Sequence, residues 1–140
     1  MRVIFVCTGN SARSQMAEAI LRRDGGERFH VVSAGVSPRP VNPLTIRSLA
    51  KVDIDISDAK SKPIGQFLGQ RFDYVITVCD RARATCPVFP GGSETLHWGV
   101  DDPAEATGTD AERQVAFDQA LRELAVRIHT FLPLAVGHRR

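Results

Sequence analysis

Two short runs of apolar and β-branched residues, each followed by a cysteine, constrain the fold more than any other feature of the sequence. Residues 3–6 precede Cys7, and residues 74–78 precede Cys79. Runs of this kind are typical of strands that are buried on both faces, as the strands of a parallel sheet are. Weaker patterns predict two more strands, over residues 29–34 and 95–98.

Helical patterns separate the predicted strands. The first helix has apolar residues at helical spacing over residues 16–21 and is stopped by Gly25 and Gly26. The last helix has the strongest pattern, because five apolar residues recur at steps of four and three, and Thr109 with Glu112 can cap its start. These five residues are Phe117, Leu121, Leu124, Ile128 and Phe131. Two shorter helices are predicted, one over residues 43–51 and one that begins after Ser61. Strands that alternate with helices predict an α/β fold, a small doubly wound parallel sheet with helices on both faces.

The composition is that of an ordinary globular protein. Of 140 residues, 43% are hydrophobic and 24% charged, so we expect one domain over residues 1–140. The net charge of +2 gives no reason to expect binding to nucleic acid or membranes. No apolar run approaches the roughly 20 residues of a membrane span, and the N-terminal run is too short for a secretory signal. We therefore expect a cytoplasmic monomer whose final His-Arg-Arg is frayed.

The segment that joins the first strand to the first helix has the composition of an oxyanion-binding loop. Five residues separate the Cys7 thiol from the Arg13 guanidinium, so the backbone N–H groups between them can point at a tetrahedral anion. Gly9 and Asn10 accept the left-handed conformations that such a loop requires, and Ser14 can donate its hydroxyl to the sulfur. The alternative is a buried cysteine with an arginine on a solvated helix face. It does not explain why Cys7, Arg13 and Ser14 occur at this spacing between a strand and a helix. The predicted oxyanion-binding residues are Thr8, Gly9, Asn10, Ser11, Ala12, Arg13 and Ser14.

Six residues separate the other two cysteines, Cys79 and Cys86. Three interpretations are open: buried thiols of the core, zinc ligands together with His97, or a redox pair. The spacing is wider than in common zinc sites and no fourth ligand is evident, so no metal site is expected. Arg81 and Arg83 lie between the two cysteines and favour the thiolate that exchange chemistry needs. We therefore favour the redox pair.

A displacement at an oxyanion also needs a proton for the oxygen that leaves. Asp102, which precedes Pro103 in a predicted loop, is the candidate general acid. Asp101 beside it is the rival, and the structural alternative is a simple Asp-Asp-Pro turn.

Several segments together resemble one known superfamily. They are residues 6–18, 32–35, 52–57, 78–80, 86–87 and 97–104. The first of these resembles the oxyanion loop of the low-molecular-weight tyrosine phosphatase superfamily, and more closely that of its thioredoxin-coupled arsenate reductase branch. The resemblance covers most of the chain, and the two later cysteines specify the branch.

The resemblance implies a relay of thiols that reduces arsenate to arsenite. In this relay Cys7 attacks arsenate held by the loop and Arg13, and Asp102 protonates the leaving oxygen. Cys79 then attacks Cys7, and Cys86 attacks Cys79. A Cys79–Cys86 disulfide is left for reduction by thioredoxin, and phosphate or sulfate are expected to bind as analogues of arsenate.

The resemblance also bears on cofactors. Members that bind potassium beside the loop use residues that match Asn10, Glu18 and Ser33, and an acid where this chain has Lys62. We expect the ammonium group of Lys62 to replace the cation, so that neither potassium nor any other cofactor is required.

Three other functions compete with this one. The first is a phosphatase, for which the loop, the arginine and the acid suffice. The phosphatase branch usually has aromatic residues just after the Asp-Pro, where this chain has Ala104, Glu105 and Ala106, so at most a weak side activity is expected. The second is a non-catalytic protein that binds or senses oxyanions. The third is a reductase served by glutaredoxin or a low-molecular-weight thiol instead of thioredoxin.

Overall fold

The computed structural model describes residues 1–137, and at its centre lies a four-stranded parallel sheet. The strands are β1 (Arg2–Cys7), β2 (His30–Gly35), β3 (Tyr74–Thr77) and β4 (Glu94–His97), in the order β2-β1-β3-β4. Residues 3–6 of β1 are fully buried, as expected for a strand with a neighbour on each edge. The sheet confirms the predicted fold class, and each predicted strand lies within one residue of its observed bounds.

Four α-helices accompany the sheet within residues 1–137. They are α1 (Arg13–Gly25), α2 (Pro43–Ala50), α3 (Asp80–Thr85) and α4 (Asp110–Gly137). Helix α1 lies against β1 and β2, and α4 packs on both α1 and α2. The five apolar residues predicted for the last helix are all buried in α4. None of the helices in residues 1–137 is long and apolar enough to span a bilayer.

The capping box predicted for the last helix is confirmed. The Glu112 N–H donates to Thr109 Oγ1 at 3.2 Å, and the Thr109 N–H donates to Glu112 Oε1 at 3.2 Å. Each side chain thus satisfies a backbone donor of the other residue.

One predicted helix is wrong, and one observed helix was not predicted. The helix expected after Ser61 is a single 3-10 turn, Ile64–Phe67, of which only Phe67 is buried, and Gly69 turns the chain at a φ of 85°. The six-residue helix α3 was not expected at all. Only Ala82 of its residues is buried, so it has no apolar stripe from which a helix could be predicted. The expectation that the final His-Arg-Arg is frayed concerns residues outside the described part of the chain.

The strand order sets the position of the functional residues. From β1 the chain moves to β2 on one side and later to β3 on the other, so the loops that leave β1 and β3 diverge. Open α/β sheets bind ligands in the crevice at such a point. Cys7 ends β1, and Cys79 lies two residues beyond the end of β3.

Candidate active site

The loop that follows β1 has backbone carbonyl groups that are bonded to a neighbouring segment. Backbone N–H groups that follow β2 donate to them, from Val36 to Cys7 (3.1 Å), Ser37 to Thr8 (2.8 Å), Arg39 to Gly9 (2.9 Å) and Asn42 to Ser11 (3.1 Å). Gly35 permits this close approach, because a Cβ there would lie 2.8 Å from the Thr8 carbonyl oxygen and 2.9 Å from the Asn10 nitrogen. Because these carbonyl groups are bonded to the neighbouring segment, the other loop N–H groups remain for an anion that can accept from them.

The start of α1 adds further donors. Ala12 is the N-cap, and no side chain there accepts a hydrogen bond from the first turn. Alanine is a poor cap, but a helix start without a capping acceptor leaves its N–H groups and its positive end for an anion. The helix start and the loop together form one concave anion-binding surface.

Cys7 is buried at the end of β1, and two donors converge on its sulfur. The Asn10 N–H donates to Cys7 Sγ at 3.2 Å, and the Ser14 hydroxyl lies 2.7 Å from the same atom. Ser14 Oγ itself accepts from the Asn10 side-chain amide at 2.7 Å, which leaves its own proton available to the sulfur. Donors directed at a sulfur atom stabilise its anionic, nucleophilic form.

Asn10 holds the loop in shape. Its φ is 51° and its side chain is fully buried. Its amide nitrogen also donates to Ser33 Oγ at 2.9 Å, while its amide oxygen accepts from Gln15 at 3.0 Å and from the Lys62 N–H at 2.9 Å. With the bond to Ser14, both donors and both acceptor positions of the amide are used. A side chain satisfied in this way leaves the loop little freedom to rearrange.

This network ends at a carboxylate beside a lysine. Ser33 Oγ donates to Glu18 Oε1 at 2.8 Å, and Lys62 Nζ lies 3.5 Å from the same oxygen. The guanidinium of Arg22 lies 3.3 Å from the other oxygen of Glu18. The structure thus places the Lys62 ammonium against Glu18, at the end of the network that begins at Asn10.

Arg13 opens α1 and is oriented from across the cleft. Its guanidinium donates to the Val100 carbonyl at 2.8 Å and lies 3.7 Å from Asp102 Oδ2. The other oxygen of Asp102 accepts from the Ala104 N–H at 3.0 Å. Asp101 lines the same cleft but is exposed. Because Asp102 contacts Arg13, the geometry favours it over Asp101 as the acid nearest a bound anion.

Most of the predicted site residues line one cleft of about 660 Å³. Those are Cys7, Thr8, Gly9, Ser11, Ala12, Arg13, Cys79 and Asp102. Asn10 and Ser14 are buried beneath it. No aromatic residue of the described chain is among the lining residues. Arg39 also lines the cleft and was missed by the sequence analysis; its one signal is its position between Pro38 and Pro40.

Cys79 lies at the edge of this cleft as the N-cap of α3. Its side chain is buried, and its sulfur accepts from the Ala82 N–H at 3.4 Å. The Thr8 hydroxyl lies 3.3 Å from the same sulfur. Thr8 follows Cys7 directly in the chain, so the first two thiols share both a cleft and a neighbour.

Cys86 lies at the opposite end of α3, away from the cleft. At the helical rise, its Cα is about 10 Å from that of Cys79, beyond the roughly 4.4–6.8 Å that a disulfide spans. All three cysteines are free, and the Cys86 thiol donates to the Pro87 carbonyl at 3.6 Å. Burial raises the pKa of Cys86. The expectation that Arg81 and Arg83 favour a thiolate is therefore wrong for Cys86, because desolvation acts in the opposite direction.

Comparison with known proteins agrees with this geometry. A family model described as low molecular weight phosphotyrosine protein phosphatase matches residues 2–136. The chain belongs to this family.

Within the low molecular weight phosphatase family, the chain is similar to several arsenate reductases. The arsenate reductase of Halalkalibacterium halodurans is 43% identical over 129 residues, which are 92% of this chain and 93% of that protein. A solved arsenate reductase in its oxidized state matches with a TM-score of 0.80 and 28% identity over 94% of this chain and 96% of that one. The thioredoxin-dependent arsenate reductase of Corynebacterium glutamicum matches at 33% identity and a TM-score of 0.63, over 92% of this chain and 62% of that one. These similarities confirm the resemblance to the arsenate reductase branch.

Proposed function

We propose that this protein reduces arsenate to arsenite through Cys7, Cys79 and Cys86 in succession. The observation that carries the proposal is the placement of the three thiols. Cys7 and Cys79 share the anion cleft, while Cys86 lies at the far end of the short helix that begins after Cys79. A phosphatase needs only the first of these thiols, and the similarity to arsenate reductases supports the same choice.

The first step is a displacement at arsenic. The loop N–H groups and Arg13 hold the anion, and the charge that develops on its oxygens is met by these preformed donors. The Cys7 thiolate forms an As–S bond while one As–O bond breaks. Asp102 supplies the proton with which the hydroxyl leaves as water, and arsenic stays pentavalent.

The second step transfers two electrons to arsenic, and the third step moves the resulting disulfide from Cys7–Cys79 to Cys79–Cys86. The Cys79 thiolate attacks the sulfur of Cys7, and the electron pair of the breaking As–S bond stays on arsenic, which leaves as trivalent arsenite. Cys86 then attacks Cys79, so that Cys7 returns to a thiolate and a Cys79–Cys86 disulfide remains. One dithiol reductant restores the enzyme in each cycle.

The third step requires α3 to unwind, because the two cysteines at its ends are too far apart for a disulfide while the helix is intact. The cost is small, since α3 has six residues and buries only Ala82, and a helix of this length is marginal by itself. Unwinding also removes Cys86 from the apolar surroundings that raise its pKa, which makes it a better nucleophile.

We infer that thioredoxin is the reductant and that the reaction takes place in the cytoplasm. The description of the Corynebacterium glutamicum relative as thioredoxin-dependent supports the first point. A relay of three free thiols needs a reducing compartment, which supports the second. Every residue assigned a role comes from one chain, so a monomer suffices.

Hydrolysis of phosphomonoesters is the second candidate, favoured by the family to which the chain belongs. Cys7, Arg13 and Asp102 are the groups that a cysteinyl-phosphate mechanism uses. In the described chain, however, the cleft is lined by Ala104 and Glu105 and by no aromatic residue. An aryl ester would therefore gain little binding energy beyond that of its phosphate, and we expect this activity to be weak.

The deciding experiment follows NADPH oxidation with arsenate, thioredoxin and thioredoxin reductase. We expect continuous turnover by the wild type. Cys86→Ser should release arsenite for a single turnover and then stop, because the Cys7–Cys79 disulfide is not passed on. Asp102→Asn should slow that first turnover, and Asp101→Asn should not. Failure of the wild type to consume NADPH, together with brisk hydrolysis of an aryl phosphate, would establish the phosphatase instead.

A further inference from the structure

Arg39 is held at the anion cleft by a segment outside the oxyanion loop. Pro38 and Pro40 flank it and restrict the backbone on both sides. Its N–H donates to the Gly9 carbonyl at 2.9 Å, and its own carbonyl accepts from the Ser61 hydroxyl. Its side chain passes over Gly9, with Cβ and Cδ each 3.7 Å from the position that a Cβ of Gly9 would occupy. The backbone that carries the guanidinium is thus fixed before any anion binds.

The charge of Arg39 is also unpaired. Within residues 1–137 the structure shows no hydrogen bond or ion pair of its guanidinium. Arg13, by contrast, is bonded to Val100 and lies against Asp102. Arg81, the remaining arginine of the cleft, belongs to α3, which has to unwind in the proposed relay. Arg39 is therefore a cation that is both available to an anion and unaffected by that movement.

We propose that Arg39 recruits the substrate oxyanion to the loop without taking part in its transfer. This rests on the proposed arsenate reduction and adds a positioning residue to it. An unpaired cation at the mouth of a cleft raises the local concentration of anions and their association rate. Near neutral pH arsenate is an anion, whereas the product arsenious acid is uncharged, so Arg39 attracts the substrate and not the product. Phosphate and sulfate carry similar charge, and Arg39 attracts them as well.

The test compares Arg39→Gln and Arg39→Lys with Arg28→Gln, which removes the same charge at the opposite end of the sheet beside Met1. Inorganic phosphate affinity is measured by protection of Cys7 from iodoacetamide, which requires no turnover. We expect Arg39→Gln to weaken phosphate binding and to raise the KM for arsenate about fivefold, with kcat nearly unchanged. Arg39→Lys should keep most of the affinity, and Arg28→Gln all of it. High salt should reduce the difference between Arg39→Gln and the wild type.

Each contrary outcome is informative. Unchanged phosphate affinity in Arg39→Gln overturns the proposal, and so does an equal loss in Arg28→Gln, which would show a general effect of net charge. A lower kcat at unchanged KM would assign Arg39 to the transfer step instead. If the wild type does not reduce arsenate but Arg39→Gln still binds phosphate more weakly, the proposed function fails and the recruiting role stands.

Discussion

Asn10 links the sulfur of Cys7, through a chain of hydrogen bonds, to the carboxylate of Glu18. Its side chain contacts Ser14, which bonds the sulfur, and Ser33, which donates to Glu18. The ammonium of Lys62 lies 3.5 Å from that carboxylate. We propose that this ammonium does what a bound potassium ion does in other members, so that the loop keeps its shape without a metal ion.

Lys62→Asp is therefore expected to create a dependence on potassium. The wild type should be equally active in potassium chloride and in tetramethylammonium chloride, because its cation is covalently attached. Lys62→Asp places a second carboxylate beside Glu18 and should lose about tenfold in kcat/KM without potassium and recover when it is added. Lys60→Asp, a neighbouring exposed position, is the control. A marked activation of the wild type by potassium would contradict the proposal.

Single residues also show what the sequence could locate. Cys7 and Arg13 line one cleft, as expected, because cysteine, glycine, asparagine and arginine at that spacing have few other uses; their roles remain predictions. Arg39 was missed because a lone arginine between two prolines has no periodicity, and its contact with Gly9 joins segments that are distant in the chain. The raised pKa of Cys86 depends on burial, which the charges of its neighbours in the sequence do not reveal.

At the scale of elements, α3 is held at its start by a hydrogen-bonded chain from the sheet. Thr77 Oγ1 lies 2.7 Å from His97 Nδ1, and His97 Nε2 lies 3.0 Å from Asp80 Oδ1. Asp80 is the first residue of α3. Because a carboxylate only accepts, Nε2 donates its hydrogen to Asp80. This chain of hydrogen bonds links β3 and β4 to the helix that unwinds in the proposed relay.

Removing the histidine should loosen α3. His97→Phe keeps a ring but loses both hydrogen bonds, and we expect the α3 amides to exchange with solvent about threefold faster, a modest change because Asp80 is exposed. Hydrogen exchange read by NMR measures this residue by residue. Glu94→Gln, at an exposed position of β4, is the control. Equal exchange rates in His97→Phe and the wild type would show that the contact does not restrain the helix.

Elements also differed in how well they could be predicted. The strands and α4 were predicted because burial on both faces, or on one stripe, leaves a clear pattern of apolar residues. Helix α3 escaped prediction since five of its six residues are not buried. In the proposed relay α3 comes apart, and an element that does so is not stabilised by a large buried face, so it leaves little pattern in the sequence.

At the scale of the whole molecule, hydrogen bonds between polar side chains link α2 to α4. Asp118 of α4 accepts from Ser48 Oγ and from Lys51 Nζ, both at 2.6 Å. Gln114 donates to Ser48 Oγ at 2.7 Å. Helix α2 in turn meets the oxyanion loop, where Thr45 Oγ1 donates to the Ser11 carbonyl at 2.9 Å. These hydrogen bonds therefore connect the long C-terminal helix, through α2, to the anion site.

Asp118→Asn should lower stability in a pH-dependent way. Burial alone would raise the pKa of Asp118, but hydrogen bonds from Lys51, Ser48 and Gln114 outweigh it and lower the pKa. The resulting stability is fully present above the ordinary carboxyl pKa of about 4 and is lost as the pH falls through the lowered value. Urea unfolding should show the variant about 1 kcal/mol less stable at neutral pH and nearly equal to the wild type in strong acid. Asp58→Asn, at an exposed position, is the control, and a difference that persists in acid would contradict this assignment.

The placement of Cys79 and Cys86 at the two ends of α3 has one more consequence. Because a disulfide between them and an intact helix exclude each other, the oxidised and reduced forms of the proposed relay present different surfaces to the solvent. A reductant that binds the extended segment loses its docking surface as soon as the disulfide is reduced and the helix re-forms. Reduction thus releases the bound electron donor, and the oxidised form differs from the reduced form in the shape of this segment.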